Sequence, residues 1–481
     1  MKSQTLFTSL LTISSVFAVT IYVDCDASSS GSGTEYSPFN TLAQVNSHVF
    51  SAGDILTFKK NSTCQGVLYP QGSGTSDSPI TITSYGWGDL PVIDAQGAAQ
   101  AVLLVNQDNW HITNIAATNP ADDLAARNGI NVVYNDTNVH SGLLVENCVI
   151  FDVAGQTNKA TEAADFEQSC GIAVTGTVGD GTRIDNVLVT QNFIRDCGGG
   201  GIKVRTGQQT NRGTNTRVSY NDIESCGGDG IVIEYSQTPL IDHNTAGYLG
   251  YGKYPYTGGN FAGMWVLGCS NSTLQFNVVH NTMMSEVDSE AFDCDWGNDG
   301  YCLIEYNFSH DNAGGMFLNC DGCGGTPQGT HQIVRYNIFQ NDCRTFSNGD
   351  EAKLSFYNNV VYCPDKEFEI SVPPSTNFTN NIFVGMQNAT LPTGSGIEWF
   401  WNVFQTVSPP TDNGITGDPE FLNPGSGLDT LISAGGYKLK SSSPALNNGA
   451  VIADNGGRDF FGYPVSSNSK PNRGAYNGPG L

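Results

Sequence analysis

Two aspartates separated by one residue, Asp293 and Asp295 in the stretch AFDCDW, are the sharpest chemical feature of this 481-residue chain. If the stretch is a strand, both side chains share a face, with their carboxylates about 5–7 Å apart. Like charges that close raise the proton affinity of one partner unless a cation intervenes. Asp is a poor strand former, and a merely solvated strand would be better served by Asn or Ser. Such a pair can divide acid and base duties, or it can hold a hard cation. A solvated acidic face without chemistry is the plain structural alternative.

A register of aligned four-residue units extends this face. The units are Ile172-Ala173-Val174-Thr175, Ile202-Lys203-Val204-Arg205, Ile231-Val232-Ile233-Glu234, Met264-Trp265-Val266-Leu267, Phe292-Asp293-Cys294-Asp295 and Met316-Phe317-Leu318-Asn319. The first and third members are apolar in every row and are expected inward; the second and fourth are expected outward. The outward column then holds Lys203 and Arg205, Glu234, Trp265, Asp293 and Asp295, and Phe317 and Asn319. All of the charged members and Trp265 are expected to be solvent-accessible along one groove. Glu234 falls two rungs from Asp295, about 9–10 Å away along a sheet. Trp265 offers a flat apolar surface for a ring, unless the loop Tyr248–Phe261 covers it. His280 and His310 should stack one rung apart on another face, either as proton donors or as a plain surface pair.

The elements that must position these residues come from a repeat. The unit apolar-x-x-Asn, followed by one or two apolar residues, recurs ten times, at Asn147, Asn192, Asn221, Asn244, Asn277, Asn307, Asn337, Asn359, Asn381 and Asn402. Successive asparagines lie 45, 29, 23, 33, 30, 30, 22, 22 and 21 residues apart. A base period of that size, built of short β-branched and aromatic runs broken by Asn and Gly, is one turn of a parallel β-solenoid. Each strand pairs with its equivalent one turn later, about 4.8 Å away. The asparagines are expected to form a ladder at a corner, taking the left-handed conformation and linking their amides up the column.

The ends read differently. Residues 1–18 carry Lys2, an apolar run from Leu6 to Val16 and a small-residue site at Val16-Phe17-Ala18, the pattern of a secretory signal too short to span a bilayer. Residues 19–97 form an N-terminal strand and cap segment, 98–416 the rungs, and 417–481 the last rungs and a cap. Six N-x-[ST] sequons, at Asn61, Asn135, Asn271, Asn307, Asn377 and Asn388, fit an extracellular protein. So do 13 cysteines, which imply disulfides and at least one remaining thiol. Cys25 and Cys64 could staple the N-terminal segment. The lone pair Cys320 and Cys323 lacks a second pair for zinc and reads as a disulfide or buried thiols. A net charge of −25 from 46 acidic and 21 basic residues argues against nucleic acid as a partner. No apolar stretch reads as a membrane span, and a monomer is expected.

The opening YVD, PITITSYG and the closing GDPEF, SPAL and RGAY, with AFDCDWGNDGYCLIEYNFSHDNAGGMFL between, resemble the secreted microbial right-handed parallel β-helix proteins of the pectate-lyase-like superfamily. The resemblance implies an all-β, right-handed parallel β-helix with capping segments. It also implies an extracellular polysaccharide as partner, but not which chemistry, since a fold does not fix function. A hydrolase would use two of Asp293, Asp295 and Glu234 as acid and base. A lyase would hold Ca²⁺, the one candidate cofactor, on Asp293, Asp295 and Asn319. Lys203, Arg205, Trp265, His280 and His310 would contact substrate, the two cations meeting an acidic sugar. A uronan epimerase or a non-catalytic glycan- or wall-binding protein completes the alternatives. A binding protein should carry aromatics repeated along the face, whereas charges dominate here.

Overall fold

Short β-branched runs that alternate around an apolar stripe cannot bury that stripe alone; stacking equivalent runs buries it continuously. A computed structural model, which describes residues 18–156, 169–176, 181–324, 328–349 and 351–481, shows this stacking. Among those residues three parallel sheets of 16, 14 and 10 strands run the length of the molecule. One turn visits each sheet once: Arg183–Thr190 in the first, Phe193–Cys197 in the second, Gly200–Arg205 in the third. The next turn repeats the path through Thr216–Ser219, Asp222–Glu224 and Asp229–Glu234, each parallel to its predecessor. The chain is a parallel β-helix. The proposed signal segment falls almost wholly on residues 1–17, outside the described residues.

Inside the coil, Ile202, Val204, Ile231, Ile233, Met264, Val266, Phe292 and Phe317 belong to one continuous core. The asparagine ladder is also buried. From Asn192 through Asn221, Asn244, Asn277, Asn307, Asn337, Asn359 and Asn381 to Asn402, each backbone N–H donates to the next side-chain Oδ1 at 2.8–3.0 Å. Each Nδ2 in turn reaches the same oxygen and a backbone carbonyl of an earlier rung, as Asn277 does to Asn307 and Ile241.

Two details differ from the sequence reading. The left-handed residue at this corner is the one before each ladder asparagine, for example Tyr220, His243, Phe276 and Tyr306. The asparagine follows the turn because its side chain must enter the coil to replace the hydrogen bonds that the turn breaks. For the same reason Asn147 is not a ladder member. It is the left-handed residue, and Cys148 takes the ladder place, donating its N–H to Asn192 Oδ1.

The N-terminal segment joins the first two sheets through Thr20–Val23, Ile55–Lys59, Thr63–Gln65 and Ile80–Tyr85, and the short helix Leu42–Asn46 buries Leu42 and Val45 at its end. A disulfide joins Cys25 to Cys64, as expected, and others join Cys294–Cys302, Cys320–Cys323 and Cys343–Cys363. Cys148, Cys170, Cys197, Cys226 and Cys269 remain as buried thiols. After Ile415–Thr416 the chain turns back along the outside of the second sheet. There Phe421, Tyr437, Leu439 and Tyr476 pack on the outward row Val278, Phe308, Ile338, Val360, Ile382 and Val403. Among the described residues no helix is long and apolar enough to cross a membrane.

Candidate active site

The third sheet carries the expected functional residues. Its outward row runs Ala173, Lys203, Val232, Trp265, Asp293 and Leu318, paired rung by rung. A parallel row holds Thr175, Arg205, Glu234 and Leu267, and Asp295 continues it, its N–H bonded to Val266 O at 3.0 Å. Lys203, Arg205, Glu234, Trp265, Asp293 and Asp295 are thus brought to one face.

Their exposure differs from the expectation. Lys203, Trp265 and Asp293 are each 5% exposed and Glu234 7%, so the face is a buried floor rather than an open groove. Around Trp265 a second layer is visible. Trp265 packs with Val232, Ala262 and Leu267, and with Tyr235 and Trp296 at the edge, while its indole N–H donates to Asp229 Oδ1 at 2.7 Å. In the loop Tyr248–Phe261, Lys253 and Tyr254 reach Asp152 at 2.5 and 2.6 Å. Both cations face acids of the chain itself: Lys203 Nζ lies 3.5 Å from Asp229, and Arg205 lies 3.7 Å from Glu234.

The last row of the aligned register is off by one. Phe317 pairs with Phe292 and Asn319 with Cys294, so both point inward, and Leu318 stands over Asp293. The turn between these strands holds 25 residues from Phe292 to Phe317, one more than the alignment allowed, and a one-residue slip exchanges the faces. Asn319 is buried and donates to Gln332 Oε1 at 2.8 Å inside the coil. It cannot join Asp293 and Asp295 around a calcium ion.

Asp295 is half-buried and directly precedes Trp296, which with Arg205, Gln208, Gln209, Tyr235, Gly297 and Gln328 lines a cavity of about 420 Å³. Its Oδ1 accepts the Trp296 N–H at 2.8 Å, and its backbone carbonyl accepts Asn298 Nδ2 at 2.6 Å. The carboxylate lies within 4.8 Å of the sulfurs of the Cys320–Cys323 disulfide, which pins the turn from above. Gly297 takes φ 74°, letting the chain reverse immediately after Trp296. The opposite wall is tied across by Gln209 Nε2 to Gly297 O at 2.7 Å and by Arg212 to Asp299 at 2.6 Å. Arg205 lies 5.1 Å from the Tyr235 ring centre. Sequence reasoning missed Tyr235 and Trp296. The signal was present, since each directly follows a candidate carboxylate, Glu234 and Asp295.

His280 and His310 do stack, with ring centres 5.1 Å apart and planes 5° from parallel, but on the second sheet. Both are buried under the returning C-terminal segment, where Asp429 Oδ1 lies 3.6 Å from His280 and 3.4 Å from His310. Burial lowers the His280 pKa, with a smaller opposing effect from its bond to Asn281. The structure therefore does not place these imidazoles with the carboxylates.

A family model described as right handed β-helix region matches residues 100–260. The chain is 25% identical over 575 aligned residues to the lacto-N-biosidase of Bifidobacterium longum subsp. longum, a match covering 92% of this chain. It spans 35% of that relative's length. Among solved structures, the GH136 lacto-N-biosidase from Eubacterium ramulus superposes with a TM-score of 0.58 at 21% identity, over 83% of this chain and 67% of that one. A XylC complex with xylose superposes with a TM-score of 0.53 at 12% identity, over 95% and 98%. These likenesses agree on the fold, a right-handed parallel β-helix.

Proposed function

We propose that this protein is a secreted glycoside hydrolase that cleaves an extracellular saccharide at the face formed by Asp293 and Asp295. The observation that carries the reading is the convergence on two adjacent rungs of two carboxyls and two tryptophans, one of which, Trp296, also lines a cavity of sugar-ring size. Asp293, buried between Trp265 and Leu318, takes the general-acid role, which calls for a protonated carboxyl. Asp295, half-buried beside the cavity-lining Trp296, takes the role of the ionised partner. Carboxyls about 5–7 Å apart at i, i+2 overlap the separation of retaining enzymes, about 5–5.5 Å, better than that of inverting ones. Glu234 is two rungs away and faces Arg205, so it serves better as a positioning residue for that cation.

The pairing of Lys203 with Asp229 and of Arg205 with Glu234 leaves the face without surplus positive charge, which favours a neutral sugar over a uronate. The inward turn of Asn319 removes one ligand from the calcium-assisted elimination scheme and so favours hydrolysis. The sequence likeness to a lacto-N-biosidase supports a glycosidase in the same direction.

The experiment is a screen of the purified chain against neutral and acidic glycans, with wild type, Asp293→Asn and Asp295→Asn side by side. Turnover should fall at least ~100-fold in each variant, the scale of lost acid–base help. Products should have saturated ends and the anomeric configuration of the substrate, read by NMR. An unsaturated product absorbing in the ultraviolet, or full activity in both variants, would reject the assignment.

A further inference from the structure

The two stacked histidines under the C-terminal segment form a site that the proposed hydrolysis does not use. His310 Nδ1 lies 2.9 Å from Asp311 Oδ2, and Asp311 is held in turn by Asn341 Nδ2 at 2.9 Å. A carboxylate at Nδ1 keeps the ring proton there and leaves the Nε2 lone pair facing outward. That Nε2 is buried and has no hydrogen-bond partner among the described residues. Another acceptor, Asp429 Oδ1, lies 3.4 Å from it. A lone pair facing a carboxylate across that gap is unfavourable unless something positive lies between them.

The same Asp429 oxygen faces a ring nitrogen of each histidine, and the two rings stack at 5.1 Å. A divalent metal serves both at once. We propose that His280, His310 and Asp429 bind a zinc-type transition-metal ion that fastens the C-terminal segment to the solenoid.

The geometry is close to what such an ion needs. Ligand atoms at ~2.0–2.1 Å around a tetrahedral centre stand ~3.3–3.5 Å from one another. Here Asp429 Oδ1 lies 3.6 Å from His280 Nδ1 and 3.4 Å from His310 Nε2, and one ligand atom from each residue lies within 4.8 Å of the other two. Water would fill the fourth position. Loading requires His280 Nδ1 to leave Asn281 Oδ1, now at 3.0 Å, an exchange of one weak partner for a metal bond. The Asp311–His310 pair supplies the outer-shell carboxylate that metal-bound imidazoles ordinarily have. Room for the His280 ring comes from Gly247 on the preceding rung, where any Cβ would stand 2.2 Å from the ring.

The clasp joins two parts of the fold. Asp429 is contributed by the returning segment, which the same column also grips through Gln340 to Gly427 N and O and to the Tyr437 hydroxyl. An ion bound there is bound only when the segment is docked, so it stabilises that arrangement by mass action.

The test uses the whole chain, stripped with chelator and dialysed, then titrated with Zn²⁺ by calorimetry and with Co²⁺ by visible absorption. One equivalent should bind, with the d–d bands of tetrahedral cobalt, and Zn²⁺ should raise the melting temperature. In Asp429→Asn, an exposed position, affinity should fall at least ten-fold and the thermal shift should vanish. Zinc-edge X-ray absorption on the wild type should show two imidazole ligands. Absence of stoichiometric binding, equal affinity in Asp429→Asn, or a zinc shell without imidazole would each overturn the site. None of these readouts depends on glycan cleavage.

Discussion

Replacing Asn277 by alanine removes the centre of the buried ladder, and the structure sets the size of the effect. The Asn277 Oδ1 accepts the Asn244 backbone N–H at 3.0 Å and Asn244 Nδ2 at 3.1 Å. Its Nδ2 donates to Ile241 O at 2.9 Å and to Asn307 Oδ1 at 3.1 Å. Some of these groups keep partners in the variant. Asn244 Nδ2 still reaches Val218 O at 3.0 Å, and Asn307 Oδ1 still accepts the N–H of residue 277 at 2.8 Å. The Asn244 N–H does not, and a buried orphan donor costs about 1–3 kcal/mol. The lost amide bonds and the small void add about 1 kcal/mol more. The expected loss is therefore about 2–4 kcal/mol, against less than ~0.5 kcal/mol for the exposed control Asn377→Ala. Urea unfolding followed by tryptophan fluorescence measures the total, and hydrogen exchange should show lost protection at residues 241–244. A loss below ~1 kcal/mol, or a change no larger than that of Asn377→Ala, would refute the ladder as a stabilising device.

Two further outcomes follow from burial. Asp342 is buried, and desolvation pushes its carboxyl up from 3.8 to about 7, against the opposing bonds from Ser309 and Asn312 and the nearby His310. The folded state then holds the proton more tightly than the unfolded chain, so stability should fall as pH rises from about 4 to about 7 and level off above. Asp342→Asn, which reproduces the ladder chemistry of Asn312, should flatten that fall and be more stable than wild type above pH ~7; parallel urea-midpoint curves would reject the assignment. Of the six sequons, Asn307 is wholly buried in the ladder, whereas Asn61, Asn135, Asn377 and Asn388 are exposed. Glycopeptide mass spectrometry of chain expressed in a glycosylating host should find no glycan on Asn307.

The architecture was legible because a solenoid writes itself into the chain once per turn. The spacing of Asn192 through Asn402 gave the rungs, and the apolar columns at Ile202, Ile231, Met264 and Phe292 gave the inward face. The candidate site was legible in part. Strand alternation placed Lys203, Glu234, Trp265 and Asp293 on one side, but it cannot see what packs over a strand, so their burial was hidden, as was the packing of Trp265 with Tyr235 and Trp296. Phe317 and Asn319 were misplaced because loop length, not pattern, sets where the next strand resumes, and one extra residue exchanges the two faces. The contact of Asp429 with His280 and His310 spans more than a hundred residues, and no periodicity carries it.

The returning C-terminal segment has a consequence for how the chain is made. The outward row Val278, Phe308, Ile338, Val360, Ile382 and Val403 is covered by Phe421, Tyr437 and Leu439, which leave the ribosome after it. At ordinary elongation rates the interval between Val278 and Tyr437 is on the order of ten seconds, during which a nascent solenoid has a sticky, flat flank. The rungs emerge in order during synthesis, so each new turn lengthens the unprotected strip before anything closes it. A chain interrupted before residue 421 would have every rung in place and still be prone to self-association along that strip. The returning segment thus acts as a built-in shield for that flank of the solenoid.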